Sequence, residues 1–129
     1  MDRQQSRQFA AGPEGLSAVR AFVREAISGV DQEMAEDIEL LASEVATNVV
    51  QHAQTDYEVH VLHDDEAIRV EVADRSSVIP ALRSLAIDAD RGRGLLLLER
   101  LADAWGAQEA PAGKIVWFEM AHPTRSLPR

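Results

Sequence analysis

The sequence predicts an α+β domain, a two-layer sandwich with helices on one face of a mostly antiparallel, mixed sheet. Two observations carry that prediction. Apolar residues recur at steps of three and four in two consecutive segments, Leu16 to Ile27 and Ile38 to His52, as on one side of a helix. From Tyr57 to Val72, and in the closing run Ile115 to Met120, the apolar residues alternate or cluster as in strands with a buried face. A chain of 129 residues, 46% hydrophobic and 27% charged, suits one such core, so residues 1–129 are expected to form a single domain without internal repeat or linker.

Taken in order, residues 1–5 are polar and are expected to fray, and Arg7-Gln8-Phe9-Ala10 is a short edge strand. Gly12-Pro13-Glu14 starts a helix, with proline tolerated in the first turn and an acid placed against the positive end of the dipole. Leu16, Val19, Phe22, Val23, Ala26 and Ile27 form its stripe, and Ser28-Gly29 ends it. A second helix opens near Glu33, with Ile38, Leu41, Val45, Val49 and His52 on one face. His63-Asp64-Asp65-Glu66 then turns a β-hairpin, whose second strand carries Ile68, Val70 and Val72 on one side. Asp74 continues that parity and should emerge facing the core, a costly place for a carboxylate unless something binds it.

Residues 76–91 contain Pro80 and show no period, which suggests a lid over about 75–92. After Gly92-Arg93-Gly94 the residues Leu95 to Leu98, Leu101, Ala102 and Trp105 predict a short helix apolar almost all round and therefore buried. Ala107 to Gly113 is expected to turn, with at most a brief strand at its start. The closing strand runs Ile115 to Met120, and the polar tail from His122, over 122–129, is expected to fray.

Composition removes several function classes. The chain has no cysteine, which excludes disulfides, thiolate metal sites and cysteine nucleophiles. No run approaches the ~20 apolar residues of a membrane span, and the N-terminus lacks the apolar core of a signal peptide, so no membrane partner and a cytoplasmic location are expected. A formal charge of −9 repels phosphate backbones and argues against direct contact with nucleic acid. Lys114 is the only lysine among 13 basic residues, and no Gly-x-x-x-x-Gly-Lys-Ser/Thr order is present. Asp31, Glu33, Glu36, Asp37, Glu39 and Glu44 fall within residues 31–44 without one Lys or Arg, either a solvated helix face or a docking surface for a basic protein.

Three features point to a nucleotide. Glu44 and Asn48 lie one helical turn apart on the shoulder of the apolar stripe, a proton acceptor beside an oxygen ligand for a hard cation. Asp74, followed by Ser76 and Pro80, is a core-side acid able to accept a hydrogen bond from an exocyclic amine. Gly92-Arg93-Gly94 opens a helix, where unpaired backbone N–H groups and the dipole favour phosphate and glycine admits close approach.

In this order the motifs resemble those of the Bergerat-fold, or GHKL, ATPases and kinases, the superfamily of gyrase, Hsp90, histidine kinases and MutL. Glu44-x-x-x-Asn48 resembles the N box, Asp74-x-Ser76-x-x-x-Pro80 a reduced adenine-binding box, and Gly92-Arg93-Gly94-Leu95 the glycine box after the lid. Within the superfamily the sequence is most similar to the small anti-sigma-factor serine/threonine kinases of the actinobacterial type, from Phe9 to Glu119.

The resemblance implies an α/β sandwich that holds ATP between its layers. Asn48 would hold Mg2+, Asp74 and Ser76 would serve the adenine, and Gly92, Arg93, Gly94 and Leu95 would lie along the phosphates. Glu44 would accept the proton of a Ser or Thr hydroxyl on an anti-anti-sigma (STAS-type) partner, while a sigma factor is the sequestered ligand. A homodimer through the first strand and helix, frequent in the family, is compatible with it.

Two departures accompany the resemblance. Arg75, Ser76 and Ser77 stand where the fuller pattern has glycines, and Ile115 stands where close relatives commonly have a threonine that helps to hold adenine. They leave a second reading open, a non-catalytic anti-sigma interaction module with or without nucleotide. A histidine-kinase catalytic piece is weaker, because no dimerisation helix pair with a phosphoacceptor His is present. A metal site at His60 and His63 is disfavoured because alternation sends the two rings to opposite faces.

Overall fold

A computed structural model describes residues 3–53, 55–75 and 92–123. Its elements are β1 (Arg3–Phe9), a 3-10 turn (Pro13–Gly15), α1 (Leu16–Ala26), α2 (Gln32–His52), β2 (Tyr57–His63), β3 (Ala67–Asp74), α3 (Gly92–Leu101), β4 (Ala104–Ala110) and β5 (Gly113–Ala121). The strands form one sheet in the order β1-β2-β3-β5-β4, and every ladder is antiparallel.

The two long helices form where periodicity puts them. Asp31 caps α2 by accepting the Met34 N–H at 3.3 Å, satisfying a donor that the first turn leaves unpaired. From there Met34, Ile38, Leu41, Val45 and Val49 are buried on one stripe. Val19, Val23 and Ala26 do the same for α1, and Arg24 joins the two helices by donating to both carboxylate oxygens of Glu39 at 3.0 and 2.8 Å. Gly29, with φ of 91°, makes the left-handed turn between them. Against these helices β2 and β3 place Val59, Val61, Ile68, Val70 and Val72, and β5 adds Val116, Phe118 and Met120. Apolar area removed from water on both layers is the dominant stabilising contribution.

The local structure differs from these expectations at several points. Residues 3–5 do not fray, because β1 starts at Arg3 and runs its full length antiparallel to β2. Only Phe9 of that strand is buried, so backbone pairing rather than side-chain period defines it. The third helix ends at Leu101, not Trp105, and Trp105 lies in β4. Asp103 fixes that break: its N–H donates to the Glu119 carbonyl at 2.9 Å and its carboxylate accepts the Ala121 N–H at 2.6 Å. The helix is also less covered than its composition suggests, since Leu98 is buried but Leu96 is 49% exposed. The segment expected to turn from Ala107 is instead strand to Ala110, and only Pro111 and Ala112 separate β4 from β5. At the C-terminal end the His122 N–H donates to the Glu66 carbonyl at 2.9 Å, so that residue is anchored. Ser76, Pro80 and the rest of the lid expected over 75–92 lie outside the described residues, apart from its edges at Arg75 and Gly92.

Candidate nucleotide site

Helix α2 packs against β3 and against α3, so it adjoins both of the other elements that carry candidate motifs. Glu44 and Asn48 are both half-buried on α2, one turn apart, beside the fully buried Val45 and Val49. Gly92, Arg93, Gly94 and Leu95 form the first turn of α3, where backbone N–H groups lack intrahelical partners. Asp74 is the last residue of β3 and faces the helices, as the alternation requires.

One row of side chains crosses the sheet at this end. Phe9, Tyr57, Asp74, Lys114 and Glu109 stand opposite one another in successive ladders. Phe9 and Tyr57 stack with ring centroids 5.7 Å apart. Among the described residues the buried Tyr57 hydroxyl has no hydrogen-bond partner, and desolvation pushes its ionisation above the usual phenol range. Next in the row, the Lys114 ammonium donates to Oδ2 of Asp74; their side chains are 5% and 0% exposed. Gly113 makes this approach of β5 to β3 feasible. A Cβ there would overlap the carbonyl oxygen of Asp74 and lie 2.8 Å from the Arg75 Cα.

Lys114 is the residue that sequence reasoning left unassigned. Its parity with Val116, Phe118 and Met120 already places it inward, but its partner becomes visible only once β5 is seen to pair with β3. The same register places Ile115. Ile115 stands opposite Ala73, and the cleft of about 210 Å³ that it lines with Gln8, Asp56 and Glu58 also borders Tyr57 and Asp74. In the ladder itself, Lys114 is the residue directly opposite Asp74.

The histidines separate as alternation requires. His60 bonds to Glu58 at 2.9 Å on the outer face, while His63 is buried at the inner face and accepts from Arg3 Nη2 through Nδ1 at 3.3 Å. Burial, then the nearby Arg3 and His122, hold the His63 imidazole below its ordinary pKa.

The histidine kinase-like ATPase domain model matches residues 9–120, almost the whole chain. The chain belongs to this family. No curated protein matches it. Among solved structures, the RsbU and RsbW domains of Rv1364c from Mycobacterium tuberculosis superpose with a TM-score of 0.70 at 21% identity. That match covers 95% of this chain and 34% of the other, so this histidine kinase-like ATPase domain spans about a third of that structure's length. At this identity the likeness establishes the fold. Within the described residues of the domain, no helix is long and apolar enough to cross a membrane.

Proposed function

We propose that this domain is an anti-sigma-factor-type serine/threonine protein kinase that binds Mg-ATP, sequesters a sigma factor and phosphorylates a STAS-type anti-anti-sigma partner. The observation that carries the reading is the packing of α2, which bears Glu44 and Asn48, against both β3, which ends at Asp74, and α3, which starts at Gly92. The RsbW domain in the structural neighbour supports the anti-sigma class. Asn48 offers a single neutral oxygen, which suits Mg2+ because that ion keeps waters and phosphate oxygens as its other ligands. When bound, Mg2+ supplies charge neutralisation along the phosphates.

The roles of the side chains are those that the family resemblance implies. Asp74 and Ser76 serve the adenine edge, and the turn from Gly92 through Leu95 offers backbone N–H groups to phosphate. The partner hydroxyl oxygen bonds to the γ-phosphorus as the bond to the β,γ-bridging oxygen breaks and ADP departs. Glu44 takes the hydroxyl proton. Phosphoryl transfer depends mainly on positioning and charge neutralisation, so Glu44 contributes roughly 10²–10⁴ in rate.

Incubation with γ-labelled ATP and a STAS-type protein tests this. Glu44→Gln is expected to retain ATP binding and sigma-factor capture while losing label transfer by about that factor. Asn48→Ala is expected to lose Mg-ATP binding. Wild-type protein that binds ATP yet labels none of the STAS-type partners offered would leave a nucleotide-dependent sequestration module in place of the kinase.

A further inference from the structure

Two acids flank one lysine at the base-binding end of the sheet. Lys114 on β5 stands opposite Asp74 across the β3 ladder and opposite Glu109 across the β4 ladder, all three on the helix side. The ammonium lies on Asp74, and both side chains are almost wholly withdrawn from solvent. Glu109 is exposed and makes no hydrogen bond or ion pair among the described residues.

We infer that Lys114 is an internal occupant of the base pocket, which competes with the purine amino group for Asp74 and moves to Glu109 when a nucleotide enters. This rests on the reading of Asp74 as the adenine acceptor. An ammonium N–H on the carboxylate is chemically the same kind of donor as an exocyclic amine, but it carries a full charge. The ammonium takes Oδ2 of Asp74, and because a charge-assisted bond of this kind is stronger than one from a neutral amine, a purine amino group that needs that oxygen binds at the expense of the resident pair. Leaving a lysine buried without a partner is costly, which makes a second acid within the same row necessary for the exchange. Glu109 is that acid, and because it is exposed, its pair with Lys114 is weaker than the one broken. The nucleotide site is thus held shut by its own side chain, and its affinity is set by the difference between two acids.

Calorimetric titration of the full chain with Mg-ATP tests the exchange with two substitutions of opposite sign. Lys114→Met removes the competitor and is expected to tighten ATP binding roughly tenfold or more, the scale of a hydrogen bond to a charged group. Glu109→Gln removes the second acid from an exposed position and is expected to weaken ATP binding by about threefold, the scale of an exposed ion pair. Should Lys114→Met fail to fold, Glu109→Gln still decides. A folded Lys114→Met protein that binds ATP no tighter than wild type, or a Glu109→Gln protein of unchanged affinity, overturns the exchange. ATP binding indifferent to both substitutions overturns this inference alone. No ATP binding by wild type or either variant overturns it together with the nucleotide reading.

Discussion

The two faces of the sheet carry charge in opposite ways. On the outer face Arg69 donates to Glu71 and to Glu119, each at 2.7 Å, and its guanidinium lies 4.1 Å from the centre of the Trp117 ring. These three charged side chains keep 22%, 24% and 35% of their surface in solvent. On the inner face Asp74 and Lys114 share one bond within the core and keep almost none. An outer cluster loses little hydration and gains little, whereas an inner pair loses most of its hydration and recovers it only while both partners are present. Charge on the outer face decorates a strand surface that would be stable without it. A charge pair inside is a liability to folding, and its position at the end of β3, beside the candidate nucleotide motifs, is consistent with a ligand-directed purpose.

Removing one inner partner is the strongest test of that contrast. Asp74→Ala takes from the Lys114 ammonium its buried partner and leaves only the exposed Glu109 across the other ladder, and is expected to lower unfolding free energy by up to about 3–5 kcal/mol. Replacing both residues, in Asp74→Ala with Lys114→Met, should recover most of this loss. Urea denaturation of the single and double variants gives the coupling directly. A coupling no larger than that of an exposed pair would show that the inner pair is solvated in practice.

The next effect is steric. Gly113→Ala places a methyl group against the Asp74 carbonyl and the Arg75 Cα, neither of which can rotate away. The expected cost is roughly 1–3 kcal/mol, the usual scale of overpacking. It should fall on the inner pair, because the same strand ends hold Lys114 and Asp74 in register. Denaturant midpoints measured alongside ATP titration should therefore show stability and affinity changing together.

The helices and hairpin were legible because each has one apolar face, and Asp74 was legible because strand parity continues past Val72 to it. The two edge strands were not. Arg3 to Gln8 is exposed throughout, and β4 mixes Ala104, Gly106 and Ala107 with Gln108 and Glu109, so neither carries a clean side-chain period. Their order comes from backbone pairing to a neighbour. Gly106 shows the same dependence on a partner, since a Cβ there would sit 3.0 Å from the Trp117 ring across the ladder. Lys114 went unassigned for a related reason. Insertion of β5 between β3 and β4 is a non-sequential pairing, and it alone decides which residue of the closing strand faces Asp74. Glu44 and Asn48 are placed on the expected helix shoulder, while Ser76 lies outside the described residues.

The smallest expected effect belongs to the outer face and completes the contrast. Arg69→Ala removes two partly exposed ion pairs and the contact with Trp117, for which about 1 kcal/mol is expected, falling further in high salt. ATP affinity should not change, because Arg69 stands on the face of the sheet opposite Asp74. Denaturation with and without added salt, alongside titration, tests both halves of this statement. A loss comparable to that of Asp74→Ala would mean that Trp117 and its charged neighbours form a second core, and the division of the sheet into a ligand face and a solvent face would have to be abandoned.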